Sequence, residues 1–135
     1  MAIELRYTGE TTVPVEVEGI LPSVMQGKPL EEIRRLPVYH GKEVCELAEF
    51  FEVSGDAEDQ RIEWHGDLRG VHWIGAQMDG GEMIVHGDAG RHIGSEMKRG
   101  TIRVEGSASD WVGGELQGGK IVVKGDAGHL VGAAY

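Results

Sequence analysis

Four segments in the second half of the chain share one alternation of apolar and polar residues, and each ends at a glycine. These glycines, at positions 66, 87, 106 and 125, lie 21, 19 and 19 residues apart. Because the side chains of a strand alternate between its two faces, this pattern predicts inward apolar rows and outward polar rows. The inward positions are Ile62, Met83, Ile102 and Ile121, followed two residues later by Trp64, Val85, Val104 and Val123.

The outward and corner positions repeat in the same way. The outward positions are Arg61, Glu82, Thr101 and Lys120, then His65, His86, Glu105 and Lys124. Two further apolar rows precede more glycines, and they are Ile74, Ile93, Val112 and Val131, and Met78, Met97 and Leu116. Glycine adopts positive φ without steric cost, so each repeat predicts two or three short strands with tight corners. A repeat of ~19 residues is too short for a helical repeat, and we predict an all-β fold, a right-handed parallel β-helix.

The first 60 residues lack this repeat and predict a short mixed α/β cap at the N-terminal end of the β-helix. The predicted elements are strands at 3–8 and 13–17, short helices at 29–36 and 43–51, and extended chain at 51–53. Alternation supports the strands, and Pro29 suits the first turn of a helix. We therefore divide the chain into an N-terminal cap, residues 1–60, and glycine-rich repeats, residues 61–135, which end in mid-coil at Tyr135.

Composition narrows the class of partner. Among 135 residues, 13 are Lys or Arg and 23 are Asp or Glu, which gives a formal net charge of −10. Binding to nucleic acid or an anionic membrane needs clustered positive charge, so we expect neither partner. The sequence contains neither a long apolar run nor a signal-peptide pattern, and we expect a cytoplasmic protein.

Histidines are the main candidates for chemistry. By register, His92 shares a column with Trp73, Trp111 and Leu130, whereas His72 and His129 share one with Arg91 and Asp110. His65 and His86 face outward on adjacent coils, ~4.8 Å apart if they stack. Two histidines without a nearby carboxylate or thiolate make a poor metal site. We therefore predict that the chain has no catalytic, cofactor-binding or metal-binding residues of its own, with metal binding by this pair as the alternative.

The glycine–aspartate turns and the single cysteine have structural interpretations. Phosphate loops lead into a helix, but strands follow these turns, so Asp67, Asp88 and Asp126 are predicted to cap their own turns. Cys45 has no basic neighbour in the sequence that would lower its thiol pKa, and we predict a buried structural thiol.

Several segments resemble one family. They are Gly-Asp-Ala-Gly-Arg-His-Ile-Gly at 87–94, Gly-Gly-Lys-Ile-Val-Val-Lys-Gly-Asp-Ala-Gly at 118–128, Val-Gly at 131–132, Pro-Val-Tyr-His-Gly at 37–41 and Phe-Glu-Val-Ser-Gly-Asp at 51–56. This pattern resembles the C subunit of formylmethanofuran dehydrogenase and of the bacterial formyltransferase/hydrolase complex. The repeat is also similar to the C-terminal domain of the glutamate synthase large subunit, which lacks the N-terminal segment.

The resemblance implies a non-catalytic scaffold and docking subunit in formyl and formate one-carbon metabolism. In that family the C subunit is a β-helix beside a catalytic amidohydrolase-like subunit. The resemblance therefore assigns zinc, a molybdenum or tungsten pterin, and methanofuran or its analogue to other subunits. The alternatives are a stand-alone β-helix enzyme or metal-binding protein, and a glutamate-synthase-type domain. The family's C subunit is longer, so the mid-coil end at Tyr135 fits the N-terminal portion of a longer solenoid. The alternative is that another chain covers the end, and we then expect self-association through residues 120–135, because an open coil exposes strand edges and apolar side chains.

Overall fold

The computed structural model describes residues 2–9, 14–110 and 112–126. Its strands are β1 Ile3–Tyr7, β2 Val15–Glu16, β3 Pro37–His40, β4 Glu43–Glu46, β5 Phe51–Gly55, β6 Arg61–His65, β7 Val71–His72, β8 Asp79–His86, β9 Arg99–Val104 and β10 Lys120–Val123. Its α-helices are α1 Pro22–Met25 and α2 Leu30–Arg34, and a 3₁₀ turn spans Leu47–Glu49. Within these described ranges, no helix is long and apolar enough to cross a membrane.

The larger sheet has six strands in the order β10-β9-β8-β6-β1-β5. Strands β6, β8, β9 and β10 run parallel, and their register pairs Ile62 with Met83, Met83 with Ile102, and Ile102 with Ile121. The predicted stacking of equivalent residues is therefore confirmed for these four strands. Strand β1 extends the same sheet, since it pairs parallel with β6 and antiparallel with β5.

A second sheet has four strands in the order β4-β3-β2-β7. Strands β2 and β7 are parallel, whereas β2–β3 and β3–β4 are antiparallel. The β3–β4 hairpin turns at Gly41, whose φ of 64° is the left-handed conformation that glycine tolerates.

The predicted right-handed parallel β-helix is wrong as the fold class, because the described residues form two mixed sheets of parallel and antiparallel strands. The error has a physical cause. Ile3 and Leu5 alternate with polar residues in the same way as the repeat strands, so β1 can pair with β6 through equivalent buried positions. Sequence periodicity identifies such a strand, but it does not state which neighbour the strand will select.

The N-terminal elements agree with the sequence in part. The predicted strand at 3–8, the helix at 29–36 and the extended chain at 51–53 are confirmed by β1, α2 and β5. The predicted helix at 43–51 is wrong, because this segment contains β4 and the 3₁₀ turn. Val44 is 64% exposed, so it does not share the buried side of Leu47 and Phe51 that a helix would need. Hydrogen bonding across the β3–β4 hairpin overrides the weak helical spacing.

One continuous core joins the N-terminal strands to the repeats. Phe51 and Trp64 pack edge to face, with ring centroids 5.5 Å apart, beneath the six-stranded sheet. The inward rows predicted from the sequence are buried through Val104, while Ile121 and Val123 on β10 are partly buried. Close packing at the corners requires glycine, as at Gly75. Its φ of 72° is left-handed, and a Cβ added to it would meet the Ile102 side chain.

Candidate functional site

The outward side chains of the six-stranded sheet form three rows, which we call the outer face. The rows are Arg61, Glu82, Thr101 and Lys120; then Glu4, Glu63, Ile84, Arg103 and Val122; and then Arg6, His65, His86, Glu105 and Lys124. Because neighbouring strands in a sheet lie ~4.8 Å apart, side chains in one row are within contact distance of each other. The outer face therefore brings together residues from both halves of the chain.

Two histidines and two glutamates meet near the centre of the outer face. The rings of His65 and His86 stack with centroids 4.6 Å apart and planes 3° from parallel, which confirms the predicted pairing. Nε2 of His86 lies 2.7 Å from Oε1 of Glu63, and Nε2 of His65 lies 3.1 Å from Oε1 of Glu4. The premise that this pair has no nearby carboxylate is therefore wrong.

The sequence alone could have located Glu63 beside the histidines, but it could not have located Glu4. Glu63 precedes His65 by two residues, so period-two alternation already puts both on the outer face. Glu4 lies 61 residues from His65 in sequence, and only the pairing of β1 with β6 brings the two together. That pairing is the same relationship that the fold prediction missed.

The environment of Glu63 favours its charged form. The hydrogen bond with His86 is the main cause that lowers the Glu63 pKa, and the positive charge of Arg61 also lowers it. Arg61 Nη2 lies 3.7 Å from Glu63 Oε2, so the guanidinium is on the opposite side of the carboxylate from His86. Partial burial opposes these effects, but the net direction is downward.

The β9–β10 side of the outer face carries basic residues around a shallow depression of about 360 Å³. Arg103, Lys120 and Lys124 surround it, and Ile84 and Val122 contribute its apolar surface. Glu105 accepts from Lys124 Nζ at 2.7 Å and from Arg103 Nε at 3.0 Å. The Lys124 hydrogen bond is the main cause of a lowered Glu105 pKa. Glu82 and Thr101 complete the lining, so the depression combines both signs of charge with apolar surface.

The aspartates after the repeat glycines form a second column. Asp67 caps its own turn as predicted, because its Oδ1 accepts from the backbone N–H of Arg69 at 3.3 Å. Hydrogen bonds from the Arg69 side chain and backbone lower the Asp67 pKa to about 2. Asp88 differs, since its Oδ1 accepts from the Ser107 N–H at 2.8 Å, in the next repeat. Ser107 Oγ in turn accepts from the Asp126 N–H at 3.0 Å. The column therefore links successive repeats.

The remaining histidines of the described repeats serve packing and backbone contacts. Trp73 and His92 stack with centroids 4.1 Å apart and planes 5° from parallel, which confirms the predicted column. His72 Nδ1 accepts from the Arg91 N–H at 2.7 Å. Burial is the main cause that lowers the pKa of both His72 and His92, and the charge of Arg91 acts in the same direction. Trp111, His129, Leu130 and Tyr135, like most of the open coil expected to self-associate, lie outside the described residues.

Cys45 lies half-buried on β4, where its thiol is grouped with His40 and Glu43 within 4.8 Å. Desolvation is the main cause that raises the Cys45 pKa, and the negative charges of Glu49 and Glu43 raise it further. A raised pKa keeps the thiol protonated and weakly nucleophilic at neutral pH. Within the described ranges, the groups able to offer three metal ligands are this one and Glu63 with His65 and His86.

Comparison with known proteins identifies relatives of the chain, although no protein-family model matches it. The C subunit of tungsten-containing formylmethanofuran dehydrogenase 2 from Methanothermobacter wolfeii is 42% identical over 87 residues, 62% of this chain and 32% of that protein. The C subunit of molybdenum-containing formylmethanofuran dehydrogenase 1 from Methanothermobacter marburgensis is 44% identical over 83 residues, 61% of this chain and 21% of that protein. The matched segment thus spans about a third or less of these relatives.

A solved structure extends the similarity to nearly the whole chain. A chain of the formyltransferase/hydrolase complex from Methylorubrum extorquens, crystallised with methylofuran, superposes with a TM-score of 0.89. The match has 30% sequence identity and covers 98% of this chain and 49% of that chain. Together with the sequence matches, it confirms the family resemblance expected from the glycine-rich repeats.

Proposed function

We propose that this homologue of the formylmethanofuran dehydrogenase C subunits is a non-catalytic structural subunit of a complex that handles formyl groups. The observation that carries the proposal is the structural match to a chain of the formyltransferase/hydrolase complex, with a TM-score of 0.89 over 98% of this chain. The sequence relatives support the same assignment, because they are C subunits of formylmethanofuran dehydrogenases.

The geometry of the described residues supports a structural role. The clusters of titratable side chains on the outer face lie on the surface of a sheet rather than in a cleft. Glu105 forms ion pairs with both Lys124 and Arg103. Enzyme sites are usually concave and exclude water around the reacting groups. The outer face instead offers a broad surface with rows of charged side chains, which suits contact with another protein.

In this proposal the partner is an amidohydrolase-like catalytic subunit, and the formyl carrier is methanofuran or an analogue. Zinc for catalysis and any molybdenum or tungsten pterin belong to the other subunits. The cytoplasm is the expected compartment. Each of these assignments follows from the family resemblance, and each can be tested by recovering the assembly.

The test is purification of an affinity-tagged chain from its native cells, followed by mass spectrometry and a formate-release assay with a formylated furan donor. We expect an amidohydrolase-like protein to co-purify in fixed ratio and formate release by the assembly. The recombinant chain alone should release none. A tagged Val104→Asp variant, which should not fold, is the matched control for non-specific capture. Formate release by the isolated chain, or a monomeric chain without partners, would overturn the proposal.

A further inference from the structure

We propose that Glu63, His65 and His86 form a divalent-metal site that accepts zinc on the outer face. The zinc site is independent of the proposed structural role, so either proposal can be rejected without affecting the other. The first three residues each offer one ligand atom, and these atoms all lie within 4.8 Å of one another. Glu4 lies outside this group, and its Oε1 contacts only the His65 end of the cluster, 3.1 Å from His65 Nε2.

The donor set matches the chemistry of zinc. Two imidazole nitrogens and carboxylate oxygens are ligands that zinc accepts in tetrahedral sites. The Glu63 carboxylate, with Glu4 beside His65, also offsets the charge of a divalent cation. Ligand atoms bound to one tetrahedral zinc at about 2.0–2.1 Å lie roughly 3.3 Å apart. The distance of 2.7 Å between His86 Nε2 and Glu63 Oε1 is near that separation, and all three ligand atoms lie within 4.8 Å of one another.

The backbone holds the ligands on two adjacent strands. Glu63 and His65 are on β6, and His86 is on β8. The parallel pairing of β6 with β8 fixes their spacing, so the main chain needs no rearrangement. A zinc ion would replace the proton that His86 Nε2 shares with Glu63, and His65 Nε2 would exchange its contact with Glu4 for the ion. The two rings would then have to leave their parallel stack so that both nitrogens converge on one ion.

A second contact orients one ligand. Arg61 Nη2 lies 3.7 Å from Oε2 of Glu63, and Oε1 of the same carboxylate is directed to His86. Contacts of this kind outside the ligand set hold a ligating carboxylate in place and tune its affinity. With zinc bound, the site would cross-link β6 to β8, the strands of two successive repeats.

The test is titration of the purified full chain with ZnCl₂ by isothermal calorimetry at pH 7.5. Every sample carries Cys45→Ser, which removes the thiol from the separate group with His40 and Glu43. We expect one zinc per chain and a raised melting temperature. His65→Ala or His86→Ala should each weaken binding by roughly tenfold or more, and Glu63→Gln by a smaller factor. Glu96→Gln, which removes a carboxylate outside the rows of the outer face, is the matched control and should leave the affinity unchanged.

Histidine side-chain NMR of the Cys45→Ser chain locates the ion without relying on variants of the ligands. The ring signals of His65 and His86 should shift together with substoichiometric zinc, while those of His72 and His92 should not. The proposal is overturned if the chain takes up no zinc at one equivalent, if other histidines shift instead, or if the two alanine variants bind as tightly as the Cys45→Ser parent.

Discussion

The carboxylate of Asp88 accepts a hydrogen bond from the backbone N–H of Ser107, 2.8 Å away and 19 residues along the chain. This bond satisfies a turn amide of one repeat with a side chain of the previous repeat. We predict that Asp88→Ala lowers the free energy of unfolding by about 1 kcal/mol, because the exposed amide regains only a bond to water. Asp88→Asn keeps the acceptor and should recover most of the loss. Urea unfolding measures both, and equal stability of all three proteins would contradict the role assigned to this bond.

A second prediction concerns the inward-facing row of the parallel strands. Val104 is fully buried in register with Val85 and Val123, so Val104→Asp would bury a charge without a partner. We expect it to remove a large part of the ~5–15 kcal/mol that stabilises a typical domain. Glu105→Gln, at the adjacent outward position, should cost less than about 1 kcal/mol, because it weakens only surface ion pairs. Thermal melts of the two variants distinguish the faces, and similar melting temperatures would show that the inward assignment is wrong.

One substitution, at Ser95, is predicted to stabilise the fold. Its side chain is buried, and its hydroxyl has no hydrogen-bond partner among the residues that the structure describes. The equivalent positions of the neighbouring repeats carry Ala76 and Gly114. Ser95→Ala should therefore raise the free energy of unfolding by about 1 kcal/mol, since it removes an unsatisfied polar group. Chemical denaturation checks the sign, and a loss of stability would indicate that the hydroxyl is hydrogen-bonded.

A corner glycine should resist substitution. Gly75 has a φ of 72°, and a Cβ added there would collide with Cδ1 of Ile102. Gly75→Ala should cost about 2–4 kcal/mol, from the left-handed backbone and the crowded core together. Gly70 has open space at its Cβ position, so Gly70→Ala is the matched control and should change stability little. A tolerated Gly75→Ala would contradict the packing at this corner.

The lowered pKa of Glu63 predicts a dependence of stability on pH. The pKa is below the ordinary value of 4.5 in the folded chain, so the folded state binds a proton less readily than the unfolded state. The resulting stabilisation is present above about pH 4.5 and is lost as pH falls through the folded-state pKa. Glu63→Gln should flatten the fall in stability below that pH. Urea midpoints measured across the acidic range up to neutral pH provide the check, and an unchanged slope in the variant would contradict it.

The sequence predicts the local features of this molecule better than its long-range pairings. Ile62, Met83 and Ile102 could be aligned because alternation and glycine spacing are properties of short segments. The position of β1 could not be aligned in this way, because its pairing depends on competition among exposed strand edges distant in sequence. For the same reason, the large separation in sequence between Glu4 and His65 kept their contact from being predicted. The β3–β4 hairpin shows the opposite case, where a tertiary hydrogen-bond ladder overrides a local spacing that resembles a helix.

The place of β1 between β5 and β6 affects how the chain can fold during synthesis. Ile3 pairs with Gly55 on one side and Ile62 on the other. More than fifty further residues must therefore be synthesised before either neighbour of β1 exists. Strands that depend on such distant partners join late and slowly, since a long loop must close before any contact forms. Strand β1, whose Ile3 and Leu5 are buried in the folded chain, therefore remains unpaired during synthesis until β5 and β6 have been made.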